Sequence, residues 1–202
     1  MKIYLIRHGQ TDWNIAGKIQ GTHDIPLNET GRGQALKLAE AMDTRPVAKI
    51  FSSPLKRAAN TAALIGEKQN TEICSMKQLV EVEFGKWEGL TWAEIQKEYP
   101  EEFKGWTVKP EMVSPPGGEQ LEHIQGRCIA AWNEIRTITG GMEDVAIVSH
   151  GATLKHLFSF MMGYDTKKDP GIVENASITT LEFNPVTEEF LLLERNESAH
   201  LK

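Results

Sequence analysis

Cysteine is scarce: Cys74 and Cys128 stand far apart in a chain of 202 residues. With no CxxC pair and no cysteine–histidine cluster, neither a structural zinc site nor a disulfide framework is expected, and a reduced, cytoplasmic protein is the simplest reading. Positive charge is in deficit, with 22 Lys and Arg against 28 Asp and Glu and a formal net charge of −6. A nucleic-acid partner would normally call for the opposite sign or a basic stretch, so none is expected. Long apolar runs are also missing. The most apolar late stretch, "HLFSFMMGY", is too short to span a bilayer, and the apolar residues before Arg7 are too few for a signal-peptide core. No membrane association is expected, and no internal repeat or low-complexity run is evident.

What is present is a chain 40% hydrophobic and 25% charged, enough to bury a core, and one domain over 1–202 is expected. Apolar periodicity alternates strands and helices. Strands are read at 2–7, 48–53, 71–76 and 144–149. Helices are read at 28–43, capped by Asn28 or Thr30, at 54–68 with Pro54 in its first turn, at 91–106 with a break near Pro100, and at 119–139 and 151–162. The stretches 177–183 and 188–194, joined by "NPVT", read as a hairpin. The proline- and glycine-rich stretch 107–119 reads as a loop. Alternating strands and helices predict an α/β fold, a mainly parallel sheet covered on both faces with the closing hairpin as an antiparallel edge.

Two of these strands end in the same dipeptide. The first runs into Arg7-His8-Gly9, and "VAIVS" runs into His150-Gly151. A third, "KIFSS", leads to a helix carrying Arg57 in its first turn. Ligands of open α/β sheets sit beyond the carboxyl ends of the strands, so three polar strand ends predict one pocket. Arg7 and Arg57 bring forked cationic donors suited to phosphate or carboxylate. A helix opening at Gly151 would aim free N–H groups at the same place. The pocket is therefore expected to take an anion. Of the two histidines, one would be neutral and nucleophilic; the other would be protonated and help to neutralise a transferring phosphoryl group. An acid is also needed, and "QLVEVEFGKWEGL" offers Glu81, Glu83 and Glu88. In an extended segment Glu81 and Glu83 point the same way, so periodicity does not choose between them.

The blocks "RHGQTDWN", "KIQGTHDIPLNETGRGQA", "SSPLKRAANTA", "LVEVEFGKWEG", "PGGE" and "VSHGATLK", in that order from Lys2 to Lys155, resemble the histidine phosphatase superfamily in its phosphoglycerate-mutase-like branch of small bacterial phosphatases. The resemblance implies a three-layer α/β sandwich, no metal and no organic cofactor, and a small phosphorylated metabolite as partner. It implies that His8 is the nucleophile that becomes phosphohistidine, that Arg7, Arg57 and His150 bind the phosphoryl oxygens, and that Glu81 is the proton donor. Asn14 and the Gly151 N–H match further phosphate ligands. Gln20, Gly21 and Thr22 match a loop beside the substrate, and "ERNESAHL" resembles a tail that would bring His200 near it. His23 is expected in a loop; His123 and His156 fall in helical patterns and read as surface or packing residues. Trp87, Trp92 and Trp106 read as core or lid packing. "PGGEQ" departs from the relatives that carry serine after the glutamate.

Family mutases are usually longer, with an insertion after the acid-bearing segment and a glycine-rich stretch near the C-terminus. This chain has neither, which favours a metal-independent phosphomonoester hydrolase of the broad-specificity, α-ribazole-phosphate or phosphoserine type. A cofactor-dependent phosphoglycerate mutase and a non-catalytic phospho-ligand-binding module are the alternatives, and the presence together of His8, Arg57, Glu81 and His150 separates an enzyme from the latter. A homodimer is compatible with the sequence, which does not decide the oligomeric state.

Overall fold

A computed structural model describes residues 1–108, 113–164, 171–172 and 174–202. Among the described residues, six strands form one sheet: β1 (Lys2–Arg7), β2 (Lys49–Ser52), β3 (Ile73–Ser75), β4 (Val145–Ser149), β5 (Ile178–Asn184) and β6 (Glu189–Glu197). Their order across the sheet is β3-β2-β4-β1-β5-β6. The pairs β2–β3, β2–β4 and β1–β4 are parallel, while β1–β5 and β5–β6 are antiparallel. The mainly parallel sheet with an antiparallel hairpin at its edge is thus the one the sequence predicts. Among the described residues, no helix is long and apolar enough to cross a membrane.

The near-continuous apolar runs of β1 and β4 follow from burial on both faces. Alternate residues enter different cores. Ile3, Leu5, Val145 and Ile147 pack against Cys128, Trp132 and Ile135 of α6 (Leu121–Thr139) and Leu154, Leu157 and Phe158 of α7 (Gly151–Met162). Tyr4, Ile6, Ala146 and Val148 pack against Leu38 and Met42 of α2 (Glu29–Met42) and Ala58, Ala62 and Ile65 of α3 (Lys56–Gln69). Two helices on each face make the three layers.

Local details differ from expectation where the cap is supplied from elsewhere. Asn28 caps α2 through the Gly31 N–H. Pro54 lies before α3 rather than inside it; Leu55 is the cap residue, with no side-chain cap, and Asp24 accepts from the Lys56 N–H at 2.7 Å. A short helix, α1 (Asp12–Ile15), was not foreseen. Thr11 and Asn14 cap it reciprocally, each side chain accepting from the other's backbone N–H. The expected break at Pro100 separates α4 (Trp92–Glu98) from α5 (Pro100–Val108). Residues 107–108 belong to α5 instead of the expected loop; 109–112 lie outside the described residues, and the remainder includes a turn at Pro116–Gly117. The hairpin is longer than read, with β6 running on to Glu197.

Candidate active site

Because β2, β4 and β1 are parallel neighbours, their carboxyl ends lie side by side. Arg7 is in register with Ser149, and Ser52 with Val148, so His8, Ser53 and His150 leave the sheet together. The His8 and His150 rings are 5.1 Å apart between centroids. Gly9 is needed here: a Cβ would run into the Gly31 carbonyl of α2.

Hydrogen bonding fixes both tautomers. His8 Nδ1 lies 2.7 Å from the Gly9 carbonyl oxygen, which can only accept, so Nδ1 carries the proton and Nε2 keeps its lone pair. Arg57 Nε donates to His150 Nδ1 at 3.1 Å, so His150 carries its proton on Nε2, 2.8 Å from Ser53 Oγ. Both imidazoles are buried and held well below the ordinary value of 6.5. Burial is the main cause for each; Arg7 and Arg57 add to it at His8, and His8, Arg57 and Arg7 at His150. The sequence reading assigned a proton to one of the pair; the structure favours the neutral form of both, chiefly because burial penalises the charged ring and secondarily because the cations that attract an anion repel the second proton.

Arg57 is fully buried. Besides His150, it donates from Nη1 to the His23 carbonyl at 2.6 Å and from Nη2 to the Gly21 carbonyl at 2.8 Å. One guanidinium thus joins α3 to the end of β4 and to the loop at 20–23. The Arg7 guanidinium lies against Gly151: a Cβ there would sit 3.6 Å from Arg7 Cζ and Nε.

The structure separates the candidate acids. Glu83 is exposed, whereas Glu81 lines the cavity over His8. Its carboxylate accepts from the N–H groups of Thr153 at 3.0 Å and Ala152 at 3.3 Å, at the start of α7. The helix N–H groups expected to face a ligand are therefore partly engaged by the acid, and Gly151 and Ala152 of the first turn line the cavity. Glu88 does a different job, accepting from the N–H groups of Thr22 at 3.1 Å and Phe84 at 2.9 Å, which ties the loop at 20–23 to the acid-bearing segment.

The cavity holds about 290 Å³ and is lined by Arg7, His8, Asn14, Gln20, Gly21, Arg57, Glu81 and Gly151, all singled out from the sequence. Asn14 both caps and lines: its Oδ1 is held by the Thr11 N–H at 3.0 Å, which orients the amide. Gln20 is anchored by Thr11 Oγ1 at 3.0 Å. His150 stands just behind the lining, fully buried. Two expected residues do not reach the cavity. Thr22 is exposed and turned to Glu88. His200 sits in a terminal turn with Nε2 2.9 Å from the Ala176 carbonyl, because the segment after β6 folds back onto α2, where Lys37 Nζ reaches the Leu201 carbonyl. Conversely, Lys18, Phe84 and Lys155 line the cavity and carried no assigned role, and Trp92, read as core or lid packing, lines it too. Lys155 had a legible signal: it lies four residues after Gly151, on the same face of α7.

The family model for the histidine phosphatase superfamily (branch 1) matches residues 3–196. The chain belongs to this family. Phosphoserine phosphatase 1 of Hydrogenobacter thermophilus is 31% identical over 202 residues, covering 100% of this chain and 94% of that protein. A mycobacterial glucosyl-3-phosphoglycerate phosphatase solved with VO3 superposes with a TM-score of 0.89 at 29% identity, over 98% of this chain and 99% of that one. A phosphoserine phosphatase of Entamoeba histolytica, solved with phosphoserine, gives 0.87 at 28% identity, over 100% and 99%. These three relatives are phosphatases of small phosphorylated metabolites, which supports phosphatase activity for this chain.

Proposed function

We propose that the chain, acting as one domain, hydrolyses small phosphomonoesters without a metal, through a phosphohistidine on His8. The observation that carries this is the fixed tautomer of His8. A buried, neutral imidazole whose Nδ1–H is held by the Gly9 carbonyl offers Nε2 as a nucleophile beside the Arg7 and Arg57 guanidinium groups.

In this reading the ester phosphate enters against Arg7, Arg57, His150, the Asn14 amide and the Gly151 N–H. Nε2 bonds to phosphorus as the P–O bond to the leaving group breaks, and Glu81 delivers the proton that the departing oxygen needs. Water then attacks phosphorus, the P–N bond breaks, and Glu81 takes the proton from that water, which restores His8 and releases inorganic phosphate. The work asked of the protein is positioning and charge stabilisation, as is general for phosphoryl transfer. Arg57 has donors to share, since a guanidinium carries five N–H bonds and its three nitrogens each direct one elsewhere.

Brief mixing with a labelled ester, followed by an alkaline quench, is expected to trap acid-labile phosphate on His8. His8→Ala is expected to lose at least about 10³-fold in turnover while unfolding in urea as a single transition like the parent. Acid-stable label on a hydroxyl residue, or full activity in His8→Ala, would refute the covalent mechanism.

A further inference from the structure

The cavity over His8 continues into a neighbour. A second cavity of about 260 Å³ lies beside it, and Phe84, Trp92, Ala152 and Lys155 line both. Beyond that shared wall the character changes from polar to apolar. Trp106 stacks on Trp92 with ring centroids 5.1 Å apart, Trp87 meets Trp106 edge-on at 5.7 Å, and Val82 and Ile124 close the far side. The Glu119 carboxylate also borders this annex, but Arg127 holds it through two hydrogen bonds of 2.7 and 3.1 Å, so its charge is already matched.

His156 differs from that pair. It lies one helical turn after Ala152 on α7 and lines the annex. Among the described residues its buried Nδ1 has no partner, and no hydrogen bond engages Nε2 either. Burial first, and Lys155 beside it second, push this imidazole down to about 4, so it is uncharged near neutrality. A neutral ring with a free hydrogen-bonding nitrogen, set into a largely apolar pocket next to a phosphate cradle, suits an uncharged polar function on an otherwise apolar molecule, while Lys155 keeps its charge at the wall shared with the cradle.

We propose that this annex receives the leaving group of the substrate, that the leaving group is an apolar alcohol carrying one uncharged polar function, and that Trp106 and His156 determine its selection. The proposal rests on the phosphatase reading above and names the substrate class of that site.

The test is a series of phosphate esters with leaving groups of similar basicity, measured on the full chain: ethyl, butyl, hexyl and 2-phenylethyl phosphate, with L-phosphoserine alongside. Chemistry is then nearly constant and buried apolar surface varies. The expected result is a rise in kcat/KM along the alkyl series, approaching about fourfold per methylene where burial is complete, with 2-phenylethyl phosphate ahead of L-phosphoserine. Trp106→Ala should flatten the series; Trp106→Leu serves if the alanine variant does not fold. In the parent, 6-hydroxyhexyl phosphate should hold its own against hexyl phosphate. His156→Leu should lower that ratio by roughly threefold to tenfold, the scale of one lost hydrogen bond. A flat or inverted series, or preference for L-phosphoserine, with turnover still dependent on His8, overturns the annex assignment alone. No turnover of any ester, or turnover that survives His8→Ala, overturns the phosphatase reading beneath it.

Discussion

The cradle around His8 and the annex beside it share a wall, yet they hold their polar atoms in opposite ways. In the cradle, both ring nitrogens of His150 and all three nitrogens of Arg57 have partners, most of them backbone carbonyls or buried side chains. In the annex, neither ring nitrogen of His156 has a partner among the described residues, and Phe84, Trp92 and Trp106 bring aromatic rings to a largely apolar lining. A network tied to the backbone keeps its geometry whichever ester arrives. A space bounded by side-chain faces can be reshaped by one substitution. The chemistry is thus prebuilt in one region, and selectivity is left adjustable in the other.

The sharpest way to break that division is at Glu81, the acid poised on the start of α7. Glu81→Gln should lower the rate on alkyl phosphates by about 10²-fold or more, the usual scale of general acid catalysis, and far less on p-nitrophenyl phosphate, whose leaving group needs little protonation. Glu83→Gln, at an exposed position, should change little. If the leaving-group-dependent loss appears in Glu83→Gln instead, the acid is assigned to the wrong carboxylate.

A smaller effect compares the histidines of the two regions through stability. His8, His150 and His156 all have their imidazoles shifted down in the folded protein. Above about pH 6.5, the unfolded reference, folded and unfolded chains are both neutral at these positions. Below it the unfolded chain takes up protons that the folded one refuses, so stability should fall with pH, by at most about 1.4 kcal/mol per unit for each imidazole. For His156 that loss should level off near the folded value of about 4. Urea midpoints between pH 7 and 5 measure it. His156→Leu should remove one share of the slope and leave the larger share of the two cradle histidines; an unchanged slope would place the effect elsewhere.

The smallest expected effect is none. The cradle's positive charge comes from side chains, Arg7 and Arg57 with Lys18 and Lys155 on the lining, so kcat/KM for p-nitrophenyl phosphate should be the same with and without excess EDTA. Loss of activity that magnesium restores would contradict metal independence.

Much of the cradle was legible because its strands are. β1 and β4 are buried on both faces, so each reads as an apolar run, and a histidine at the end of such a run is conspicuous. The element order and the antiparallel edge followed from the same periodicity. The choice between Glu81 and Glu83 was not legible from pattern, because it depends on the start of a helix about 70 residues onward. The tautomer of His150 depends on Arg57, 93 residues away. The cap of α3 comes from Asp24 rather than from its own first residues, which is why Pro54 was placed inside the helix. His200 matched a family tail in sequence, but its ring is claimed by the Ala176 carbonyl. The annex left the weakest trace, since its tryptophans fit ordinary packing and its histidine sits in an unremarkable helical pattern.

Arg57 also bears on the order of events when the chain folds. Its partners lie 34 and 36 residues before it and 93 after it, so each bond waits on a long loop to close. Helices such as α2 and α3 need only near neighbours, and loop closure costs entropy before any distant contact rewards it. The cradle is therefore expected to form after these helices and together with the long-range strand pairings such as Ile3 with Val145. A nascent or partly folded chain can carry most of its helices and still lack the arrangement that makes His8 a nucleophile.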